Sequence, residues 1–139
     1  MKNFLKFFTL SLLLFNAVGA LYGGFQLIKN PAGNSIGLPL ILLKHTGFDN
    51  YMIPGIILFV FNGLYGIFVS ALVLFNASHN ALFVIVQGAI LSGWIIIQLL
   101  LIKTFSSFHI ILGGMGLTLI ILGYIQAKDN TIPTSINNN

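Results

Sequence analysis

The sequence predicts an all-α protein: a transmembrane antiparallel four-helix bundle with a short interfacial or re-entrant segment between helices 1 and 2. Of its 139 residues, 57% are hydrophobic and only 6% are charged, whereas a typical soluble domain carries about 25% charged residues. Four apolar stretches are each long enough to cross the roughly 30 Å hydrocarbon core of a membrane. Short turns join the last three stretches, which places neighbouring helices side by side in opposite directions.

Hydropathy places the four predicted helices at about residues 4–28, 51–75, 81–103 and 108–126. The third is an uninterrupted apolar run, ALFVIVQGAILSGWIIIQLLLIK, and at 1.5 Å per residue it spans about 33 Å. Residues 1–127 therefore form the predicted membrane domain. The remaining segment, 128–139, has no apolar face, so we predict a disordered polar tail.

The first helix has a competing interpretation as a secretory signal peptide. Two lysines precede its apolar run, and Ala20 ends a triplet of small residues that resembles a cleavage site. The apolar run continues past Ala20 through LYGGFQLI to full spanning length. This continuation favours an uncleaved helix.

The connection between the first two helices, residues 29–50, is the longest in the chain. Its apolar part, 36–43, is too short to span a membrane and is interrupted by Pro39, which indicates an interfacial or shallow re-entrant segment. At the end of the connection, Asp49 or Asn50 can cap the first amide groups of helix 2.

Charge and residue usage exclude several function classes. The net charge of +4 comes from six lysines and two acidic residues scattered along the chain, so we predict no nucleic-acid partner. The chain has no cysteine, which excludes disulfides and thiol redox chemistry. No predicted helix carries a charged residue away from its ends, which disfavours ion-coupled transport. We predict no cofactor, no metal site and no catalytic residue.

Composition also bears on location. Abundant Asn, Ile, Lys and Phe with no arginine are typical of an AT-rich bacterial genome, so we expect a multi-pass protein of the bacterial inner (cytoplasmic) membrane. Counting lysines on the two sides gives a tie. The lysine pair before the first helix favours cytoplasmic termini.

Small and polar residues form one stripe on each predicted helix, as expected for faces turned to the interior of a bundle. The stripes comprise Thr9, Asn16, Ala20 and Gly23; Gly55, Asn62, Gly66 and Ser70; and His109, Gly113, Gly116 and Gly123. In the third helix one face carries Gln87, Leu91, Trp94 and Gln98, and the opposite face carries Gly88, Ala89, Ser92 and Gly93. In the first helix Gly19 and Gly23 form a GxxxG pattern. One interpretation is purely structural, with interhelical hydrogen bonds worth about 0.6 kcal/mol each.

The other interpretation is a ligand pocket, because polar residues concentrate in the half of the bundle nearer the long connection. We expect an amphipathic ligand with a polar head, covered by residues 36–50. The candidate ligand-binding residues are Asn16, Tyr51, Asn62, Trp94, Gln98 and His109. The positive end of the helix dipole favours a neutral His109. Lys44, His45 and Asp49 form a weaker cluster on the connection.

The predicted function is therefore non-enzymatic: an accessory membrane subunit, or a binder of a lipid-like amphipathic ligand. One alternative is an oligomeric small channel, holin-like protein or structural membrane protein that associates through its glycine faces. Another is a membrane-surface lipid-modifying enzyme that uses His45, Asp49 and His109. The predicted partners are membrane lipids and either another membrane protein or further copies of the chain.

The run GLPLILLKHTGFDNYMIPG, followed by FNGLYG, GWIIIQ and Gly123, resembles small uncharacterised four-span bacterial membrane proteins. The similarity covers roughly residues 23–125. It implies the same four-helix fold and carries over no activity. The matching positions are Pro39, Pro54, Asn62, Gly63, Trp94 and Gln98.

Overall fold

The structure, a computed structural model, is all-helical over the residues that it describes, 2–44, 46–102 and 105–131. Its long helices are α1 (Lys2–Lys29), α2 (Met52–Leu74), α3 (Asn80–Ile102) and α4 (Ser107–Thr131). All four are long and apolar enough to cross a membrane, which confirms that part of the predicted fold class.

The last helix differs from its predicted bounds. Helix α4 continues past the predicted end at residue 126 to Thr131. Lys128, Asp129, Asn130 and Thr131, which the sequence analysis assigns to a disordered tail, therefore belong to the helix. The rest of the predicted tail, 132–139, lies outside the described residues.

The start of α2 follows the sequence closely. The side-chain oxygen of Asn50 accepts a hydrogen bond from the backbone amide of Met52 at 2.9 Å. Asn50, one of the two predicted residues, therefore caps the first amide group of α2 from the position before Tyr51, the N-cap residue. Pro54 lies in the first turn of α2, where its missing N–H group would have no partner within the helix.

A π-helical segment, Leu58–Leu64, interrupts α2 near its middle. Its wider turn carries Asn62 and Gly63, which are both buried. Such segments are rare in proteins and frequently occur at functional sites. Hydrophobic periodicity did not reveal it, because the residues around it are apolar on every side.

Helices α1 and α2 make their closest contact through two glycines. A β-carbon on Gly24 would lie 2.8 Å from the backbone nitrogen of Phe59 and 2.9 Å from the carbonyl oxygen of Gly55. Further along, Gly66 faces Ala17 in the same way. The earlier residue of α1, Ala17, thus meets the later residue of α2, Gly66, and Gly24 meets Gly55, so the two helices run in opposite directions where they touch.

The predicted GxxxG pattern is not the feature that brings these helices together. A β-carbon on Gly19 would meet no atom of the described residues within 4 Å, and one on Gly23 would make only an ordinary contact at 3.6 Å. The close approach occurs at Gly24 instead, one residue away, because that residue lies on the face of α1 that meets α2.

Helices α3 and α4 are packed equally closely. A β-carbon on Gly88 would lie 2.6 Å from the carbonyl oxygen of Gly116, and one on Gly123 would lie 2.9 Å from that of Ala81. The face of α3 that carries Gly88 and Ser92 thus meets α4, whereas Gly93, placed on the same face in the sequence analysis, has no atom of the described residues within 4 Å of its added β-carbon.

Two hydrogen bonds and one aromatic contact connect the α1–α2 pair with the α3–α4 pair. The Gln126 side chain of α4 donates to the hydroxyl of Thr9 in α1 at 2.9 Å. The Gln87 side chain of α3 donates to the side-chain oxygen of Asn62 in α2 at 3.3 Å, and Phe68 meets Phe83 edge to face with ring centroids 5.8 Å apart. Each helix is therefore linked to two others.

The buried apolar residues form three clusters. The end cluster comprises Leu10, Leu13, Val69, Val73, Val84 and Leu119. The middle cluster comprises Leu91, Ile95 and Met115. The loop cluster comprises Leu27, Leu43 and Tyr51. Apart from the Tyr51 hydroxyl, the side chains of these clusters need no hydrogen-bond partner.

The connection before α2 folds back onto the helices through Tyr51. It contains two short 3-10 helices, Asn34–Ile36 and Leu40–Leu43. The Tyr51 amide donates to the carbonyl oxygen of Pro31, and its hydroxyl donates to that of Pro39, both at 2.8 Å. Burial raises the pKa of the Tyr51 phenol, so the neutral form that makes the second bond is favoured.

Candidate functional site

A cavity of about 810 Å³ opens where the first residues of α1, the turn between α2 and α3, and the last residues of α4 come together. Its polar lining is contributed by Asn3, Lys6, Asn76, Ser78, His79, Asn80, Gln126, Asp129 and Asn130. Its apolar lining includes Leu5, Val73 and Leu82. The lining can therefore hydrogen-bond a polar group and also offers apolar contacts.

Two hydrogen bonds fix the polar side chains that frame this cavity. The Lys6 ammonium group donates to the carbonyl oxygen of Leu74 at 3.1 Å, near the C-terminal end of α2, where a cation is favoured by the helix dipole. Gln126 is held by its bond to Thr9, whose side chain is fully buried. Both side chains are thus held by contacts within the fold.

The turn that forms one side of the cavity has an unusual backbone. Asn76 and His79 both have positive φ angles, 52° and 62°. Asn76 ends α2 in the left-handed conformation common at helix ends. The carbonyl oxygen of His79 accepts the amide of Leu82 at 3.0 Å, which begins α3. This geometry keeps the turn short and holds its polar side chains at the cavity.

Charge at the cavity is balanced. Lys6 contributes one cation and Asp129 one carboxylate. The other polar lining residues are four asparagines, a glutamine, a serine and a histidine, which supply both donors and acceptors. The arrangement can bind a polar group that carries both charges, and it lacks the concentration of cations that a multiply anionic group requires.

The sequence-predicted pocket residues lie elsewhere. Trp94 is half-buried and packs against the middle cluster, and Gln98 is half-buried one turn further along α3. Asn16 and Asn62 are buried between helices, and Tyr51 belongs to the loop cluster. The structure does not bring Trp94, Gln98, Asn62 and His109 together around either of the two cavities described here.

His109 is engaged at the start of its own helix. Its Nδ1 atom accepts a hydrogen bond from the backbone amide of Ser106 at 3.1 Å, and the His109 amide donates to the Ser106 carbonyl oxygen at 3.0 Å. This reciprocal pair resembles a capping box. The ring also stacks on Phe105, so its visible role is to begin α4.

The weaker cluster on the connection is only partly described. Lys44 and Asp49 are exposed and line a shallow groove of about 470 Å³ together with Leu40, Ile41 and Phe48. His45, the third member of the predicted cluster, lies outside the described residues. The acid–base role suggested for this cluster stays a prediction.

Sequence reasoning missed the cavity at the termini. It treated the lysines of this end as orientation signals and the segment NASHN, residues 76–80, only as one of the short turns between helices. The available signal was that, in the predicted antiparallel bundle, the polar residues at the start of α1, in NASHN and at the end of α4 all lie at the same end. With Lys6, His79 and Gln126 on that side, a polar site there could have been predicted.

The candidate site therefore has to be interpreted from its own chemistry. Helix lengths and composition are consistent with a multi-pass membrane protein. No protein-family model, curated protein or solved structure matches this chain.

Proposed function

We propose that the chain is a non-enzymatic multi-pass membrane protein that crosses the bilayer as an antiparallel four-helix bundle. The outward surface supports this proposal: all four helices expose large apolar side chains, among them Phe15, Phe61, Leu100 and Ile110. In water such a surface would drive aggregation, whereas in a bilayer it contacts lipid at no cost. The opposite order of contacts along α1 and α2 supports the antiparallel arrangement.

Both termini then lie on one side of the membrane. The lysines at the start of α1 favour the cytoplasmic side, so in a bacterial inner membrane the cavity at the termini faces the cytoplasm. The 3-10 helix Leu40–Leu43 then lies at the opposite surface. Ile41 is largely exposed there, as expected for a segment in contact with the lipid interface.

Single-cysteine labelling tests this topology, because the chain has no cysteine of its own. We expect Ser78→Cys to react with a membrane-impermeant maleimide only after cells are permeabilised, and Ser35→Cys to react in intact cells. Both positions are exposed in the structure. Reaction of both variants from the same side would contradict the antiparallel bundle, and exchanged sides would reverse the orientation.

Within the membrane, we propose that the protein binds an amphipathic lipid-like molecule at the cavity of the termini. The observation that carries the proposal is the mixed lining, which combines polar side chains with the apolar side chains of Leu5, Val73 and Leu82. Leu82 is 57% exposed, so an acyl chain can continue from the cavity along the outside of α3. The balanced charges of Lys6 and Asp129 favour a zwitterionic head group.

Lipid-dependent thermal stabilisation tests this function. We expect phosphatidylethanolamine to raise the midpoint of unfolding in detergent, and phosphatidylglycerol to raise it less. At a lipid concentration 100 times Kd, the added stability is about 2.7 kcal/mol. Lys6→Gln and Asp129→Asn each remove one charge of the cavity and should reduce the difference between the two lipids.

The matched control is the pair Trp94→Phe and Gln98→Leu, which alters the pocket predicted from sequence and leaves the cavity intact. These variants should keep the full lipid effect. If the control variants lose the lipid-dependent stabilisation while Lys6→Gln and Asp129→Asn keep it, the lipid binds near Trp94 and not at the cavity of the termini. Equal stabilisation of every variant would contradict a specific head-group site.

A further inference from the structure

The buried amide pair of Asn62 and Gln87 is bonded on one side only. Gln87 Nε2 donates to Asn62 Oδ1 at 3.3 Å, a long hydrogen bond. Their other two polar atoms, Asn62 Nδ2 and Gln87 Oε1, are buried and have no hydrogen-bond partner among the described residues. One donor and one acceptor, both on the same pair, thus stay unused.

This pairing does not depend on how the two amides are assigned. Nitrogen and oxygen of an amide are exchanged by a half-turn of the group. If both amides are turned, Asn62 becomes the donor and Gln87 the acceptor, and an acceptor and a donor are again left over. A single turned amide would place two like atoms in contact. Every workable assignment therefore leaves one donor and one acceptor.

A third buried amide belongs to the same interior. Asn16 Nδ2 also has no partner among the described residues, and Asn16 is 5% exposed. Asn16 lies one turn after Leu12, which packs against both the end cluster and the middle cluster. Its side chain therefore shares the face of α1 that is turned to the other helices.

Apolar layers enclose these amides on both sides. In α3 the order is Val84, Gln87 and Leu91, and all three are at most 1% exposed. Val84 belongs to the end cluster and Leu91 to the middle cluster. The end cluster thus separates Gln87 from the cavity at the termini, so bulk water does not reach the amides.

We propose that the Asn62–Gln87 pair is a binding site for an internal water molecule. A water accepts from Asn62 Nδ2 and donates to Gln87 Oε1, and it completes the second half of the amide pair. Buried polar groups are satisfied by such waters in many proteins, with two to four bonds for each water. The π-helical segment supplies the site, since it carries Asn62 in its wide turn.

This inference stands apart from the lipid site. The amides lie near the middle of their helices, whereas the cavity is formed by helix ends. A water at this position bridges α2 and α3 at a depth where lipid offers no hydrogen bonds. It is therefore part of the fold and independent of any bound ligand.

Water-edited solid-state NMR tests the proposal on the wild-type chain in lipid bilayers, with asparagine, glutamine and leucine labelled with nitrogen-15. We expect magnetisation to pass from water to the side-chain amide signals of Asn62 and Gln87. Asn76, which is exposed in the turn, is the positive control. The backbone amide of Leu13, inside the end cluster, is the negative control.

Transfer to Asn76 with none to Asn62 would overturn the proposal, because a bound water lies within hydrogen-bond distance of that amide. In a Gln87→Leu variant the transfer to Asn62 should fall severalfold, since the acceptor is lost. The wild-type measurement decides the question by itself if this variant does not fold. Changes at Lys6 or Asp129 should leave the signal unchanged, whatever becomes of the lipid site.

Discussion

Replacement of Gly88 by alanine is expected to destabilise the protein by about 1–3 kcal/mol, the usual cost of overpacking. The added β-carbon would lie 2.6 Å from the Gly116 carbonyl oxygen and 2.8 Å from the backbone nitrogen of Ile120. Both atoms belong to the α4 backbone, so the two helices must move apart. Reversible unfolding in mixed micelles measures the loss.

The same change at Gly93 is the matched control, because it lies in the same helix with no atom of the described residues within 4 Å of its added β-carbon. There alanine should be neutral or should stabilise α3 by up to about 1 kcal/mol, since it favours the helix more than glycine does. Equal losses at Gly88 and Gly93 would show that α3 and α4 are not packed as described.

Loss of either amide from the Asn62–Gln87 pair should cost about 1–3 kcal/mol, the penalty for leaving a buried polar group without its partner. Gln87→Leu is the sharper variant, because Gln87 is fully buried and leucine is similar in size. The double variant with Asn62→Leu should lose less than the sum of the two single variants, since no unpaired amide of the pair is left behind.

Gln98→Leu provides the comparison for these variants, because Gln98 is a half-buried amide of the same helix. Its replacement should change the free energy of unfolding by less than about 0.5 kcal/mol. Strict additivity of Asn62→Leu and Gln87→Leu would contradict the hydrogen bond between them. The coupling in membrane proteins averages about 0.6 kcal/mol, so replicate titrations are needed to resolve it.

The helices themselves could be predicted from sequence because hydropathy and length are local properties. The cap at Asn50 could be predicted for the same reason. The burial of Asn16, Asn62 and Gly66 also follows from the single polar stripe on each helix. These features need no knowledge of which helix is the neighbour.

The contact points could not be predicted, because they depend on how the helices face one another. The pattern at Gly19 and Gly23 fits a known packing motif, yet Gly24 makes the contact. Gly88 and Gly93 both lie in apolar stretches of α3, yet among the described residues an added β-carbon would meet another backbone at Gly88 and no atom at Gly93. A one-residue difference corresponds to a rotation of about 100° around a helix, and only the assembled fold settles that rotation.

The candidate site was missed for a related reason. Its residues come from three separate stretches, and each stretch taken alone is an ordinary helix end or turn. They line one cavity because the start of α1, the turn after α2 and the end of α4 lie next to one another. The sequence favoured Trp94 and His109 because each is a rare residue in an apolar chain. In the structure, Trp94 packs against the middle cluster, and His109 bonds the amide of Ser106 at the start of α4.

The wide turn in α2 also constrains how the gene can change. A π-helical turn closes its hydrogen bonds one residue later than an α-helical turn, so losing one codon between Leu58 and Leu64 would yield an ordinary helix with its backbone bonds intact. That deletion would rotate the preceding residues by about 100° and carry Gly55 away from Gly24. Shortened alleles should therefore persist only with compensating substitutions on α1.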